Sequence, residues 1–328
     1  MTAPTTPSRI NIDFADIGHS LPKDNNFFTN LLRRRRQVDV TDEPDFLFYS
    51  DGSNLHRLYT CKKIYWTPEP YRPDFAECDY AMTTHFIDSP RHLRLPLYAL
   101  WVNPQDIVRE AGEYDRLRPL KQEFCCFFTS KTSRDTRHRW NFFEQLSRYK
   151  QVHSAGRARN NIGKSVPLEA KAKHEFLQRY KFYMAFENSR IPGYTTEKII
   201  EAMRARCVPI YWGNPRIAEE FNPRSFINAN DFPSEEALIE HIRRVDQDEK
   251  LYRSYFEEPF FHNNKPNELF NHDRILDFFD RILEDQSPPV AARRRLFGRW
   301  MLLKRKKPHV MSWRATALVQ GGFINSGQ

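Results

Sequence analysis

Lys198 stands where the sequence changes from a strand to a helix, and a lysine in that position is suited to bind an anion. An apolar run at 182–186 is followed by a polar loop and by Glu197, after which a helix-like stretch begins. A cation in the first helical turn opposes the helix dipole, whereas a docked anion would meet both the lysine and the free backbone N–H groups. The spacing therefore favours a phosphate-binding role for Lys198; a solvated Glu-Lys pair is the alternative.

Arg139 occupies a similar position earlier in the chain. It begins a helix-like stretch after the apolar run 124–128 and a polar loop, and the apolar residues of that stretch share one face. A guanidinium donates two parallel hydrogen bonds to a phosphate, whereas a lysine contributes a point charge. A solvated basic loop is the alternative, because the preceding residues include Arg134, Arg137 and His138.

Glu69 is the candidate general base. It follows the strand-like run 63–66 in a loop stiffened by Pro68 and Pro70, at the edge of a sheet where ligands bind. A carboxylate within reach of a hydroxyl group can take up its proton. The alternatives are an exposed glutamate without a catalytic role, or one of three other acidic residues as the base: Asp74, Asp79 or Asp88.

The elements that must position these residues alternate between strands and helices, which is typical of parallel sheets covered by helices. Strand-like runs occur at 10–14, 46–49, 63–66, 80–82, 124–128, 182–186 and 208–212, and helix-like stretches at 27–35, 168–180, 198–206, 234–245 and 274–283. A chain of 328 residues is long enough for two such domains. We predict an N-terminal α/β domain over 1–119, a second α/β domain over 120–285, a polar linker at 111–122 and a basic amphipathic tail over 286–328.

The positive charge is concentrated in that tail. The formal net charge is +9, yet no acidic residue follows Asp285 while nine lysines and arginines do, so residues 1–285 are formally neutral. The segment 291–307 places its basic residues around an apolar stripe that includes Trp300, a pattern that favours an anionic membrane surface. A solvated, disordered tail is one alternative. A nucleic-acid patch is another, without a recognised binding fold around it.

Several patterns are missing from the sequence. The five cysteines have no Cys-x-x-Cys spacing and predict neither a zinc site nor a disulfide framework. The first residues do not read as a signal peptide, and no apolar run is long enough for a membrane span. No Asp-x-Asp motif in a nucleotide-binding loop and no His/Asp cluster indicates a catalytic metal.

Over about residues 60–285 the sequence resembles glycosyltransferase family 10, the α-1,3/4-fucosyltransferases, and its bacterial branch in particular. The segments that carry the resemblance are Cys78-Asp79-Tyr80-Ala81, Arg94-Leu95-Pro96-Leu97-Tyr98, Tyr180-Lys181-Phe182, Phe186-Glu187-Asn188, Gly193-Tyr194-Thr195-Thr196-Glu197-Lys198, Pro209-Ile210-Tyr211-Trp212-Gly213-Asn214-Pro215 and Phe221-Asn222-Pro223-Arg224-Ser225-Phe226-Ile227-Asn228.

The resemblance implies an α/β fold of the GT-B type, with two doubly wound Rossmann-like domains facing a cleft. It also implies an inverting transfer of L-fucose from GDP-fucose to a hydroxyl of a glycan that contains N-acetylglucosamine, in α-1,3 or α-1,4 linkage. Glu69 would be the general base, and Arg139 and Lys198 would stabilise the leaving diphosphate. The donor-binding residues carried over are Asn188, Tyr194 and Glu197, with Gly156 and Arg157 in a glycine-containing turn that a simple turn explains equally well.

The partners expected on this basis are GDP-fucose, an N-acetyllactosamine-like or lipopolysaccharide-linked acceptor, and an anionic membrane surface that binds residues 291–307; no nucleic acid is expected. No cofactor or bound metal is expected to be essential, although the family allows stimulation by Mn²⁺ or Mg²⁺. The predicted location is the cytoplasm, peripherally on the inner membrane face, in O-antigen biosynthesis or protein glycosylation. The alternatives are a glycosyltransferase of the same fold with another nucleotide sugar, and a basic protein that binds membranes or nucleic acid.

Overall fold

The computed structural model describes residues 8–17, 21–100, 102–129, 137–163, 166 and 170–290. Packing divides the chain into two compact units, one from Met1–Leu95 with Asn271–Gln328 and the other from Pro96–Phe270. Each unit is an α/β fold built on its own sheet, and in both sheets the described strands pair in parallel.

Eight α-helices are present in the described residues. They are α1 (Phe27–Leu32), α2 (Glu113–Leu117), α3 (Arg137–Tyr149), α4 (Ala170–Leu177), α5 (Glu197–Arg204), α6 (Glu235–Gln247), α7 (Glu249–Glu257) and α8 (Asp273–Glu284). Helices α1 and α8 belong to the first unit, and the others to the second. None of these helices has the length and apolar character needed to cross a membrane.

The first unit contains six strands. They are β1 (Arg9–Ala15), β2 (Gln37–Val40), β3 (Phe46–Tyr49), β4 (Lys62–Trp66), β5 (Tyr80–Thr83) and β6 (His92–Arg94), in the order β2-β1-β3-β4-β5-β6. Apolar runs buried on both faces form the central strands, as is usual for a parallel sheet. Helix α8 covers this sheet with its apolar face, where Phe279 contacts Phe48 at 5.5 Å and Phe278 contacts Tyr80 at 5.9 Å between ring centroids.

The second unit contains five strands. They are β7 (Glu123–Phe127), β8 (Val152–Ser154), β9 (Tyr180–Phe186), β10 (Val208–Trp212) and β11 (Ile227–Asn228), in the order β11-β10-β9-β7-β8. The chain therefore moves from β7 outwards to β8 and then returns to the other side of β7 as β9. Every residue of β9 is buried. The carboxyl ends of β7 and β9 form the switch point at which doubly wound sheets bind ligands.

Most of the predicted strands are confirmed. Structure and prediction agree for the runs at 46–49, 80–82, 182–186 and 208–212, whereas the short edge strands β2, β6, β8 and β11 were not predicted. Helix α5 ends at Arg204, earlier than the predicted end at Arg206. The reason is that Arg206 adopts a left-handed backbone conformation, with φ of 53°, and its guanidinium bonds to Glu113.

The prediction of a linker at 111–122 is wrong. This segment contains α2, and Tyr114 packs into the core of the second unit. Its acidic Glu113 is only 4% exposed because it accepts hydrogen bonds from Arg109 Nη1 at 3.0 Å and from Arg206 Nη2 at 2.8 Å. Because the partner Arg206 is 93 residues away in sequence, the burial of Glu113 is not visible when only the sequence is considered.

The domain bounds 1–119, 120–285 and 286–328 stay a prediction. The packing units change over at Leu95–Pro96 and at Phe270–Asn271, and α8 belongs by its contacts to the first unit. The predicted membrane-binding segment 291–307 lies outside the described residues.

Candidate active site

Two of the three residues predicted to act in catalysis flank the switch point of the second unit. Arg139 lies in the first turn of α3, which follows β7, and Lys198 lies in the first turn of α5, which follows β9. The polar residues Glu187 and Asn188 come directly after β9 at the same edge. Neighbouring parallel strands end side by side, so the sheet brings these groups together although they are far apart in sequence.

A buried carboxylate organises the start of α5. Glu187 is 0% exposed, and its oxygens accept hydrogen bonds from the Thr196 backbone N–H and hydroxyl, each at 2.7 Å. Lys198 Nζ donates to Glu187 Oε2 at 2.9 Å and to Thr196 Oγ1 at 2.8 Å. The unfavourable position of Lys198 at a helix N-terminus is therefore compensated by a carboxylate of the protein itself, which the sequence interpretation did not foresee.

Arg139 is the cation of the site that lacks such compensation. It is 2% exposed, and among the described residues its Nε and Nη2 atoms are buried without a hydrogen-bond partner. Buried donors of this kind are costly, and native proteins leave them unpaired mainly where a ligand or an ion completes them. Two guanidinium N–H groups suit two oxygens of one phosphate.

The charges of the site act on one another. Burial disfavours the ammonium of Lys198, but the carboxylates of Glu187 and Glu197 outweigh it and raise the pKa of Lys198. Burial raises the pKa of Glu187 even though Lys198 and Thr196 stabilise its charged form. Burial lowers the pKa of Arg139, and the attraction of Glu187 offsets this only in part. An added anion would therefore relieve the desolvated guanidinium more than any other group.

The predicted donor-binding residues Asn188, Tyr194 and Glu197 lie around the same edge. Tyr194 is 1% exposed, and its hydroxyl oxygen accepts from Asn188 Nδ2 at 3.5 Å. Glu197 begins α5 and is 25% exposed, with an oxygen 3.7 Å from Lys198 Nζ. Burial would raise the pKa of Glu197, but Lys198 outweighs it and lowers that pKa. Glu197 is the most accessible charged group of this cluster, and its carboxylate can accept hydrogen bonds from sugar hydroxyls.

The loop that carries Tyr194 is fixed by a buried polar network. Asn214 Oδ1 accepts from the Gly193 N–H at 2.7 Å, and Asn214 Nδ2 donates to Thr195 Oγ1 at 3.1 Å and to Glu220 Oε1 at 2.7 Å. Gly193 has φ of 90°, a conformation that favours glycine. These contacts hold the Gly193–Thr196 turn between β9 and α5 in one shape.

Gly156 and Arg157 lie on the neighbouring strand end, after β8. A methyl group at Gly156 would lie 2.0 Å from the carbonyl oxygen of Thr129, so glycine is needed for the close approach of these two backbones. Arg157 is exposed. Their role in donor binding stays a prediction.

Glu69 belongs to the first unit, in the loop after β4. Its N–H donates to Thr67 Oγ1 at 3.2 Å, and the Thr67 hydroxyl in turn donates to Asp51 Oδ2 at 2.5 Å, at the end of β3. Of the alternative bases, Asp79 accepts from the Lys63 N–H at 2.8 Å, and Asp74 caps the Ala76 N–H at 2.8 Å. These two aspartates have structural partners within the unit, and Asp88 is exposed.

No cluster of three or more His, Cys, Asp or Glu side chains able to hold a metal ion occurs in the part of the chain that the structure describes.

Two functional residues were missed by sequence reasoning, Glu187 and Asn214. Each directly follows a buried parallel strand or its terminal glycine, and that position was the available signal.

Comparison with known proteins gives the class to which this fold and site belong. Residues 118–272 match the family model described as Glycosyltransferase family 10 (fucosyltransferase) C-term, and residues 12–101 match the Alpha-(1,3)-fucosyltransferase FucT N-terminal domain. A crystal structure of alpha1,3-fucosyltransferase with GDP-fucose is similar with a TM-score of 0.72 and 26% sequence identity, over 88% of this chain and 94% of that one. The fold is therefore of the GT-B type.

Two curated relatives are also named as fucosyltransferases. The chain is 32% identical over 305 residues to the alpha-(1,3)-fucosyltransferase FucT of Helicobacter pylori, covering 78% of this chain and 62% of that protein. It is 36% identical over 157 residues to the putative fucosyltransferase R654 of Acanthamoeba polyphaga mimivirus, covering 45% of this chain and 26% of that protein. The chain belongs to glycosyltransferase family 10, the fucosyltransferases, and it spans less than two thirds of the length of these two relatives.

The position of Glu187 depends on Gly213, which follows β10. A methyl group there would lie 2.5 Å from Glu187 Cγ and 2.8 Å from the Tyr211 hydroxyl oxygen. We expect Gly213→Ala to displace Glu187 from Lys198 and to lower the free energy of unfolding in urea by about 2 kcal/mol. The control is Gly112→Ala, where φ is 72° and nothing lies within 4 Å, so that only backbone strain of about 1 kcal/mol applies. Equal losses in the two variants would contradict the close contact.

Proposed function

We propose that this protein transfers L-fucose from GDP-fucose to a hydroxyl of a glycan that contains N-acetylglucosamine, with inversion at the anomeric carbon. Family membership, the named activity of FucT and the similarity to a structure with GDP-fucose support this proposal. The proposal covers both α-1,3 and α-1,4 linkages, and contacts with the acceptor determine which of the two forms.

The observation that carries the proposal is the buried guanidinium of Arg139, with Nε and Nη2 unpartnered among the described residues. A leaving nucleoside diphosphate develops negative charge on its β-phosphate when the bond to the sugar breaks. Fixed donors that are already dehydrated stabilise such charge without reorganisation. Lys198, held by Glu187 at the start of α5, adds a second positive charge nearby.

The reaction follows from these roles. The carboxylate of Glu69 takes the proton of the acceptor hydroxyl, and the oxygen attacks the anomeric carbon of fucose from the face opposite GDP. The bond between that carbon and the diphosphate oxygen breaks, and its electron pair stays on the diphosphate, where Arg139 and Lys198 stabilise it. The products are the inverted α-fucoside and GDP, with the proton on Glu69.

Another nucleotide sugar is the second candidate within this fold, because Arg139 and Lys198 would bind any diphosphate equally well. Donor choice depends on contacts to the base and to the sugar, for which Asn188, Tyr194 and Glu197 are our candidates. A site whose buried groups hydrogen-bond one donor rejects analogues that leave those groups unpaired. The donor is therefore the first property to be measured.

We expect GDP release from GDP-fucose that depends on N-acetyllactosamine, with GDP-mannose and UDP-galactose inactive in parallel assays.

In Arg139→Ala the rate of GDP release should fall about 100-fold, because one dehydrated group that donates hydrogen bonds to the leaving diphosphate is lost. Arg148→Ala, an exposed arginine on the same helix, is the matched control and should retain its rate. Assays in EDTA and with added Mn²⁺ or Mg²⁺ would measure the stimulation that belongs to this proposal. Turnover of another donor alone would overturn the fucose assignment, and a normal rate in Arg139→Ala would overturn the role of Arg139.

The base is tested separately. Glu69→Gln preserves size and the backbone hydrogen bond to Thr67 but cannot accept the proton, so the turnover number for transfer should fall about 100-fold or more. The dissociation constant for GDP, measured by calorimetry, should not change. The control is Asp74→Asn in the same unit, whose amide oxygen can still cap the Ala76 N–H. Activity retained in Glu69→Gln and lost in Asp74→Asn would transfer the role to Asp74.

The proposal extends to the place of action. The basic, Trp-containing segment 291–307 would bind an anionic membrane surface and hold the enzyme near lipid-linked glycans, as in O-antigen biosynthesis. We infer from this a peripheral position on the cytoplasmic face of the inner membrane.

A chain truncated after Val290 tests this. It keeps the hydrogen bond from the Val290 N–H to Asp79 at 2.8 Å and all of α8, so the first unit should stay folded. We expect the full chain to float with vesicles that contain phosphatidylglycerol, the truncated chain to stay in solution, and both to act on soluble N-acetyllactosamine at similar rates. Equal flotation of the two chains would overturn the membrane role of the segment, whereas vesicle binding by a full chain that transfers no sugar would support a binding function centred on the tail.

A further inference from the structure

Tyr71 is an exception among the aromatic side chains of this protein. Aromatic residues make up 14% of the sequence, and among those that the structure describes Tyr71 alone is exposed, at 53%. A single exposed apolar side chain needs no explanation by itself. Tyr71, however, lies two residues after the candidate base Glu69, so its exposed ring is close to the predicted reaction site in sequence.

The backbone ties Tyr71 closely to Glu69. The Tyr71 N–H donates to the Glu69 carbonyl oxygen at 2.8 Å, which closes a tight turn around Pro70. The Glu69 N–H is in turn bonded to Thr67 Oγ1 at 3.2 Å, and Thr67 is 0% exposed. The ring and the carboxylate therefore project from one short, hydrogen-bonded turn.

The turn is also supported from within the first unit. His85, after β5, is 4% exposed, and burial lowers the pKa of its ring while the neighbouring backbone of Pro70 and Tyr71 offsets this in part. Its Nε2 atom is buried without a hydrogen-bond partner among the described residues. Pro68 is buried, and two prolines flank Glu69, so the backbone has little freedom to lose when a ligand binds.

A pyranose ring is the ligand that suits such a surface. One face of many hexoses presents C–H groups while the hydroxyls point outward, so that face packs on an aromatic ring and leaves the hydroxyls free to react. A tyrosine ring has only two side-chain torsions to fix and contributes a large contact area at low entropic cost. An acceptor sugar seated on Tyr71 would have a hydroxyl beside the loop that carries the base.

We propose that Tyr71 is the stacking platform for the acceptor pyranose and so determines acceptor affinity at this site. The proposal deepens the proposed function and rests on it, because a sugar stacked on Tyr71 reacts only if Glu69 is the base that takes the proton of its hydroxyl. Tyr71 would contact the sugar through its ring face, and His85 would act indirectly, as a positioning residue beneath the turn.

Steady-state kinetics of Tyr71→Ala and Tyr71→Phe, with GDP-fucose and N-acetyllactosamine, test this. We expect KM for N-acetyllactosamine to rise about tenfold in Tyr71→Ala and to stay near the wild-type value in Tyr71→Phe, which keeps the ring. KM for GDP-fucose and the hydrolysis of GDP-fucose without acceptor should not change in either variant. Leu58→Ala, which removes a side chain 64% exposed in the same unit, is the control and should leave both KM values and the rate of hydrolysis unchanged.

Each other result overturns the proposal in a distinguishable way. An unchanged acceptor KM in Tyr71→Ala means that the sugar does not stack there. A parallel change in the donor constants means that Tyr71 supports the fold and not the acceptor. A wild-type protein that turns over no GDP-fucose overturns the proposed function itself, and the platform with it.

Discussion

The candidate donor site depends on one buried carboxylate. Glu187 directly follows the central strand β9 and, with no exposure to solvent, accepts from the Thr196 N–H, the Thr196 hydroxyl and Lys198 Nζ. A buried charge is stable only when such partners surround it, and removal of any of them would leave part of its charge uncompensated. The strand end, the turn and the first turn of α5 are therefore held as one structure, and Gly213 lacks a side chain because Glu187 occupies that space.

The buried charges of the site are compensated unevenly within the protein, and this explains how the site would attract an anionic ligand. Glu187 pairs with Lys198, whereas the guanidinium of Arg139 is desolvated and retains two unpartnered donors among the described residues. The fold itself meets the cost of that desolvation, so an incoming diphosphate finds a dehydrated donor group already in place. The network around Asn214 keeps Tyr194 at the same edge, and a donor would meet a preformed pocket wall there.

The two units carry different degrees of likeness to the family. The second holds most of the motifs from which the resemblance was recognised and all of the proposed donor residues, whereas the first contributes Glu69 and its stiff loop. The exposed ring of Tyr71 also belongs to the first unit and lies outside those motifs.

The sequence by itself determined the class of fold and the edge at which Lys198 would stand, because buried parallel strands are continuous apolar runs and glycine-containing turns follow them. The family followed from the resemblance of its motifs. It did not reveal the partner of Lys198, the burial of Glu113 or the close approach of Gly156 to Thr129. Each of these joins residues from different elements, and whether a charge is solvated or buried depends on neighbours that only folding supplies. Only the tertiary structure could therefore decide that Glu187 is a paired anion and that Nε and Nη2 of Arg139 have no hydrogen-bond partner among the described residues.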